Sequence, residues 1–538
     1  MAIDASVAID LMKATPAQSG FAPTAGRLDA LPRPSWNTPR RTWKTSHLLA
    51  ADLRRQILSG ELVADQRLPT ESDLTAALEV SRETLREALR ILESESLIEI
   101  RRGRSGGAVV RRPGLASVGR YVALLLQVRK ATVADLEEAR SVIEPRAALE
   151  VAIRASDDEL DRLVALHDEE RRAEGDPLSF ATAVVAFDQA MTDVCGNRSI
   201  AVIAGVLRDI YAGQVYAAVG ATDPRSAARV ARTVVAGHSS FLDAALRRDA
   251  TVAKEAWSDY LINTSRLVLR RRESRDPIDV TPLWTAQATR VGEEPTQRAA
   301  AVVATEVRCR IADGRLQDGD RLPPIMELAK EFGVSRPTLR EALRILEMER
   351  LLDLRPGDRA GPSIRHPASD RAAQLAGNVL EAQQTTVADF ARAVQLIEPA
   401  MMELAASRVS RSSLKTLRAI EADMAGCVDD RPRFVQVWRD GITAAFASTR
   451  NPALAVVAEM LQWVRVGITA TLTQTPEGAR FSHLDCIRRR QAFLELVEAM
   501  ATQDSSKARS VWEALVRPTA AYDEASELGH LLVVDLIG

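Results

Sequence analysis

"SRETLREALRILESE" runs from Ser81 to Glu95, and "SRPTLREALRILEME" runs from Ser335 to Glu349. Thirteen of the fifteen positions are identical, and the copies stand 335 − 81 = 254 residues apart. A serine ahead of each run supplies a helix N-cap. Leu85, Ala88, Leu89 and Leu92 recur at helical spacing as one apolar stripe, which leaves Arg82, Arg86 and Arg90 on another face. One chain therefore carries the same short, arginine-faced helix twice.

The repeat extends outward from these helices. "RLPTESDL" from Arg67 matches "RLPPIMEL" from Arg321, "VIEP" from Val142 matches "LIEP" from Leu396, and "CGN" ending at Asn197 corresponds to "TRN" ending at Asn451, all at the same offset. The 538 residues are one module of about 250 used twice, a tandem duplication and not a solenoid.

Composition sets the class. Hydrophobic content of 46% and charged content of 27% suit a soluble globular protein, and only 4% aromatics favours packed helices over sheets. A net charge of −2 excludes a global basic field, so any nucleic-acid surface must be a local patch. Cys195, Cys309, Cys427 and Cys486 are scattered without a CxxC pair, as expected of reduced thiols in a cytoplasmic protein. Asp4 and Asp10 interrupt the apolar N-terminus, so it does not read as a signal peptide. Apolar runs such as "YVALLLQV" from Tyr121 are too short to cross a bilayer, and no membrane partner is expected.

Within the module the character of the sequence changes. Residues 1–42 read as a disordered tail. "TSHLLAADLRRQILSG" from Thr45 is a helix stopped by Gly60, and Thr70 with Asp73 starts a second one that ends near Leu78. After the helix at Ser81, "LIEIRRGRSGGAVVRR" from Leu97 reads as two short strands around a glycine-rich, arginine-tipped turn. Three helices and a basic hairpin make a winged helix-turn-helix. The expected fold is mainly α: winged helix-turn-helix domains at 43–114 and 298–367, all-α helical-bundle sensor domains at 115–272 and 368–538, and a linker at 273–297.

The chemistry of such a helix suits DNA. Arginine's planar fork grips guanine N7 and O6 or a phosphate bidentately, and a capped helix N-terminus favours phosphate. Glycines at Gly103, Gly106 and Gly107 let a wing approach the backbone, with Arg101, Arg102 and Arg104 beside it. The alternative is a solvated amphipathic helix whose arginines pair with Glu83, Glu87 and Glu93. The wing and the duplication favour DNA.

The stretch "LPTESDLTAALEVSRETLREALRILESESLIEIRRGRSGG" resembles the DNA-binding domain of the GntR family of bacterial transcription regulators, and the helical segment behind it resembles the sensor domain of the FadR-like subgroup. That resemblance implies DNA contacts from Arg82, Thr84 and Arg86, with Gly103 in the wing at the minor groove, and in the second copy from Arg336, Thr338, Arg340 and Gly357. Two departures stand out. Ser72 and Met326 occupy a position where family members often carry arginine, and the second wing, "RPGDRAGP", has Asp358 where the first has Arg104.

In much of the subgroup the sensor cavity holds a metal through one Asp and three His. Here the corresponding positions read Val184, Asp188, His238 and Tyr260, and in the second copy Trp438, Ile442, Arg490 and Leu515. No metal or other cofactor is expected on that ground. His238 reads as a hydrogen-bonding histidine of a pocket or surface, Asp188 as facing solvent or an internal arginine, and Arg140 as an anchor for an anionic effector or as an exposed side chain. Arg140, Asp188, His238 and Tyr260 are thus the candidate effector residues.

The expected function is a repressor-type transcription regulator that binds near-palindromic, double-stranded operator DNA with two winged helices in one chain and is released by a small-molecule effector. A free linker of about 25 residues spans typically about 25–30 Å, against about 34 Å between half-sites one turn apart. In a rival reading the second module is an assembly element, and chains form a homo-oligomer in which only the first winged helix reads DNA. No nucleophile–base pairing or phosphate-binding loop points to an enzyme.

Overall fold

The computed structural model describes residues 45–95, 97–101, 107–219, 224–268, 275–281, 284, 295–353, 361–472, 483–517 and 527–533. In the first winged helix, α1 (Thr45–Ser59) buries Leu49, Leu53 and Ile57 and ends at Gly60, whose φ of +85° only glycine adopts readily. The next helix, α2 (Glu71–Leu78), is capped by the Thr70 hydroxyl, which accepts from the Asp73 amide. Ser81 caps α3 (Arg82–Ser94) by accepting from the Thr84 amide at 3.1 Å. Leu85, Ala88 and Leu92 are fully buried and Leu89 nearly so, against α1. Truncating such a leucine to alanine costs about 2–5 kcal/mol. The wing strands β1 (Ile98–Arg101) and β2 (Gly107–Val110) pair antiparallel.

The first sensor is a bundle of α4 (Leu115–Val128), α5 (Val133–Arg154), α6 (Asp157–Ala173), α7 (Pro177–Asp193), α8 (Arg198–Val219), α9 (Pro224–Leu246) and α10 (Ala250–Val268). Local chemistry sets its helix starts: Thr132 with Asp135 and Ser156 with Glu159 form capping boxes, and Asp176 caps a helix that opens on Pro177.

The second half repeats this plan. Its winged helix has α11 (Pro295–Ala312), α12 (Ile325–Glu331), α13 (Arg336–Met348), β3 (Leu352–Asp353) and β4 (Ser363–Ile364). Its sensor has α14 (Ser369–Ala382), α15 (Val387–Arg408), α16 (Arg411–Gly426), α17 (Arg431–Ala447), α18 (Pro452–Leu472), α19 (His483–Ala501), α20 (Ser505–Val516) and α21 (Glu527–His530). After α10 the chain returns to the start of α5, where the Ile278 amide donates to the Ala131 carbonyl at 3.0 Å. The Val533 amide does the same to Thr385 at 2.9 Å in the second half. Part of the stretch read as a linker is therefore docked on the first sensor. Trp284 is buried beside it, its ring centroid 3.9 Å from the Arg308 guanidinium carbon and 5.8 Å from that of Arg120.

The two sensors face each other about a pseudo-two-fold relation. Asn197 Nδ2 donates to the Asp389 carbonyl at 3.0 Å, and Asn451 Nδ2, 254 residues later, donates to the Asp135 carbonyl at 2.9 Å. The same relation packs α4 against α14. The winged helices are crossed over: α1 packs on α14 and α11 packs on α4, so each rests on the other half's sensor. Asn378 Nδ2, for instance, donates to the Glu95 carbonyl at 3.1 Å. Among the described residues, no helix is long and apolar enough to cross a membrane.

Candidate nucleic-acid interface and sensor cavity

The serine caps aim the first turns of α3 and α13 outward. Arg82 and Arg86 are exposed on α3, as are Arg336 and Arg340 on α13. Thr84 is half-buried and Thr338 buried, each hydroxyl bonded to its capping serine. Arg102, Gly103, Arg104 and Gly357 of the wings lie outside the described residues.

The halves differ beside the second arginine. Arg86 Nε donates to Glu71 Oε2 at 2.9 Å, with both side chains about half exposed. Ile325 stands at the position matching Glu71, and Pro324, at the N-cap of α12, offers no side-chain cap. Sequence reasoning missed Glu71, whose carboxylate restrains an arginine that the resemblance assigns to DNA.

The C-terminal ends of the two helices meet. Arg344 Nη1 on α13 donates to Glu93 Oε2 on α3 at 2.6 Å, and Arg90 lies close enough to Glu347 to favour its charged form against the larger, opposing effect of burial. At 1.5 Å per residue, this tie keeps the first turns that carry Arg82 and Arg336 within roughly 40 Å of each other.

The first sensor encloses a cavity of about 620 Å³, lined among others by Arg140, Val184, Asp188, Arg208, Tyr211 and Tyr260. It lies within the range of small-molecule sites. Arg140 is buried and not exposed, bonded to Glu144 through Nε at 2.6 Å, and its Nη2 is 3.7 Å from Asp188. Burial opposes its charge, but Glu144 and Asp188 hold its pKa above the ordinary value. Arg208 is also buried, and its Nε has no hydrogen-bond partner among the described residues.

Asp188 links the cavity to a buried polar chain. It accepts from Tyr260 Oη at 3.2 Å and lies 3.2 Å from His238 Nε2, off the line of a good hydrogen bond. His238 Nδ1 contacts Glu170 at 2.9 Å, and Glu170 also meets His167 Nδ1 at 2.9 Å. Burial works against a charge on His238, yet Glu170 and Asp188 outweigh it and push the imidazole up to about 9. Ligand atoms of His167, Glu170 and His238 come within 4.8 Å of one another. They do not form the set of one Asp and three His. Val184 offers no donor atom, Tyr260 spends its hydroxyl on Asp188, and His238 already sits between the carboxylates of Glu170 and Asp188.

The second sensor has lost this chain. Trp257 Nε1 donates to Glu144 at 3.2 Å and Trp512 Nε1 to Glu398 at 3.0 Å, so in this region the offset is 512 − 257 = 255. Phe493 therefore takes the place of His238, which corrects the sequence reading that put Arg490 there. Arg490 instead bonds Glu421 at 3.0 Å. Met424, Ile442 and Leu515 replace Glu170, Asp188 and Tyr260, and Val394 and Gln462 replace Arg140 and Arg208. A Cβ at Gly441 would come 2.9 Å from the Phe493 ring, so the packed aromatic requires glycine there.

Comparison with known proteins agrees with the duplication. The profile of bacterial regulatory proteins of the gntR family matches residues 45–108 and 299–360, and that of the FCD domain matches 135–263 and 389–517. The Exu regulon transcriptional regulator of Escherichia coli K12 is 32% identical over 161 residues, 30% of this chain and 60% of that protein. The HTH-type transcriptional repressor NanR of Cronobacter sakazakii is 27% identical over 172 residues, 31% of this chain and 65% of that protein. The chain thus spans less than two thirds of the length of either relative. A solved Streptococcus agalactiae GntR matches 40% of this chain and 97% of its own at 20% identity, with a TM-score of 0.32.

Proposed function

Because the chain belongs to the gntR family of bacterial regulatory proteins, with its DNA-binding and FCD domains each present twice, we propose that it is a transcription regulator whose two winged helices read one operator together. The family is one of regulators, not enzymes. The observation that carries the reading is the tie between Arg344 and Glu93. Recognition helices fixed end to end present their arginine-bearing first turns within roughly 40 Å, compatible with half-sites about one helical turn (34 Å) apart. Arg82, Thr84, Arg86 and their counterparts Arg336, Thr338 and Arg340 are the proposed base and phosphate contacts, together with Arg102, Gly103, Arg104 and Gly357 of the wings. Repression is the proposed sign.

The cavity of the first sensor is the proposed effector site. Arg140, Asp188 and Tyr260 line it, His238 backs Asp188, and Arg208 adds a free buried donor. Helix α4 packs against both α8, which carries Arg208, and α11 of the second winged helix. A ligand at Arg208 therefore has a route to the far DNA-binding domain.

One observation favours the rival in which only the first winged helix reads DNA. Pro324, Ile325 and Met326 replace Thr70, Glu71 and Ser72 where an HTH approaches the phosphate backbone, and Met326 is exposed. Footprinting followed by counting chains per operator separates the two. One chain on an imperfect palindrome supports the intrachain pair, and two chains on it support the rival.

A further inference from the structure

The contact between the sensors repeats in its asparagines but not in its charges. Arg408 pairs with both carboxylate oxygens of Glu138, and its Nη1 lies 2.8 Å from Oε2. Arg392 pairs with Glu150 at 2.7 Å, and Arg129 pairs with Glu459 at 3.0 and 2.8 Å. The Asp389 carboxylate accepts from the amides of Arg198 at 2.7 Å and Ser199 at 3.0 Å, and from the Ser199 hydroxyl at 2.6 Å.

The offset of 254 shows what each group would meet if like paired with like. Arg392 occupies the second-half position of Glu138, and Arg408 that of Arg154. Two second-half sensors face to face would therefore set Arg392 against Arg408, and Leu404 would stand in place of Glu150. Asp389 would confront Pro452 and Ala453 in place of Arg198 and Ser199. Proline has no N–H and alanine no hydroxyl, so the half-buried Asp389 carboxylate would lose donors. Two first-half sensors would keep Glu138 near Arg154, but would set it against Glu150 as well and leave Arg129 opposite Gly205.

We infer that the second sensor's face is built to accept a first-half sensor and to exclude a copy of itself, so that the chain closes on itself as a monomer. This rests on the intrachain pairing proposed above. Reassortment of two mixed pairs must create a second-half pair for every first-half pair, so a penalty on one like pair guards against both. Complementary charge in the mixed pair and like charge in the wrong one are how paired surfaces acquire specificity.

The test inserts a protease site after residue 287 of the full chain, cleaves the folded protein and weighs it by native mass spectrometry. The uncut chain is expected as a monomer, and the cut chain as a 1:1 complex that persists on long incubation. A second arm cleaves Arg408→Glu, which places an attraction opposite Arg392 in the like pair and a repulsion opposite Glu138 in the mixed one. Second-half homodimers should then rise on the order of tenfold. Homodimers from the cut parent chain overturn the selectivity while leaving intrachain pairing standing. A dimeric uncut chain sinks the pairing itself, and the inference with it. A cut Arg408→Glu chain that stays 1:1, while its uncut form melts like the parent, shows that these charges do not select and overturns the inference as argued.

Discussion

Arg344 on the second recognition helix donates to Glu93 on the first at 2.6 Å, and Glu93 is almost wholly buried. Such a contact joins α13 to α3 directly, without passing through the sensors. Arg344→Ala leaves both helices intact and removes the strut. The expected outcome is a loss of spacing selectivity: operators with half-sites moved by one or two base pairs should bind nearly as well as the mapped one. Competition binding against a spacer series measures it. Unchanged discrimination would mean that spacing is set by the sensor pair alone.

The two recognition arginines should contribute unequally. A lost bidentate base contact costs about 1–3 kcal/mol, so Arg86→Ala should weaken operator binding about tenfold or more. Arg340→Ala should also weaken it, but less, because the second copy carries Asp358 in place of the wing's Arg104 and lacks the Thr70 cap. Glu71→Ala acts in the opposite direction. It frees Arg86 from a half-exposed pair worth about 0.2–1 kcal/mol and removes a negative charge near phosphate, so affinity should rise up to several-fold. If Arg340→Ala has no effect, the second helix does not read DNA and the rival with an assembly module stands.

Much of this architecture was legible in the sequence. The serine caps, the stripe of Leu85, Ala88, Leu89 and Leu92, and the stop at Gly60 all act within a few residues, so local pattern suffices to show them. Other features depend on distance in the fold. His167 and Glu170 stand three residues apart on a charged helix and read like a solvated face, yet both are buried against His238. Arg208 lies in an apolar run with no local sign of the cavity. Arg490 stands 490 − 238 = 252 residues beyond His238, and the paired bonds of Trp257 and Trp512, at an offset of 255, are what put Phe493 at that place. The crossing of the winged helices onto opposite sensors has no local signal at all.

With Val184 and Tyr260 at two ligand positions, and the buried carboxylates already bonded, chelators should leave both melting temperature and operator affinity unchanged. Arg208→Met should instead abolish release from DNA by whichever metabolite a screen identifies, while affinity without ligand stays within about twofold, because Arg208 is not among the proposed DNA contacts. Stoichiometric zinc, nickel or manganese in the purified protein, lost on chelation together with stability, would show that the cluster of His167, Glu170 and His238 holds an ion.

His238 gives a pH dependence whose sign is fixed. In the unfolded chain a histidine titrates near 6.5, whereas in the fold Glu170 and Asp188 hold His238 at about 9. Folding therefore raises its affinity for a proton. The resulting stabilisation is complete below about pH 6.5 and is lost as pH climbs through 9. Its ceiling is about 3 kcal/mol, reduced by whatever relaxation the carboxylates allow when the imidazole is neutral. The second half holds Phe493 at this place and contributes nothing of the kind. Two measurements check the claim. Urea unfolding from pH 6 to 9.5 should show the first sensor weakening with rising pH, and nitrogen-15 spectra should show the His238 imidazole still doubly protonated at pH 7.5. A neutral His238 at that pH would mean that burial wins over its two carboxylates, and Asp188 and Glu170 would then hold a neutral imidazole by hydrogen bonds, with Arg140 the buried cation beside Asp188.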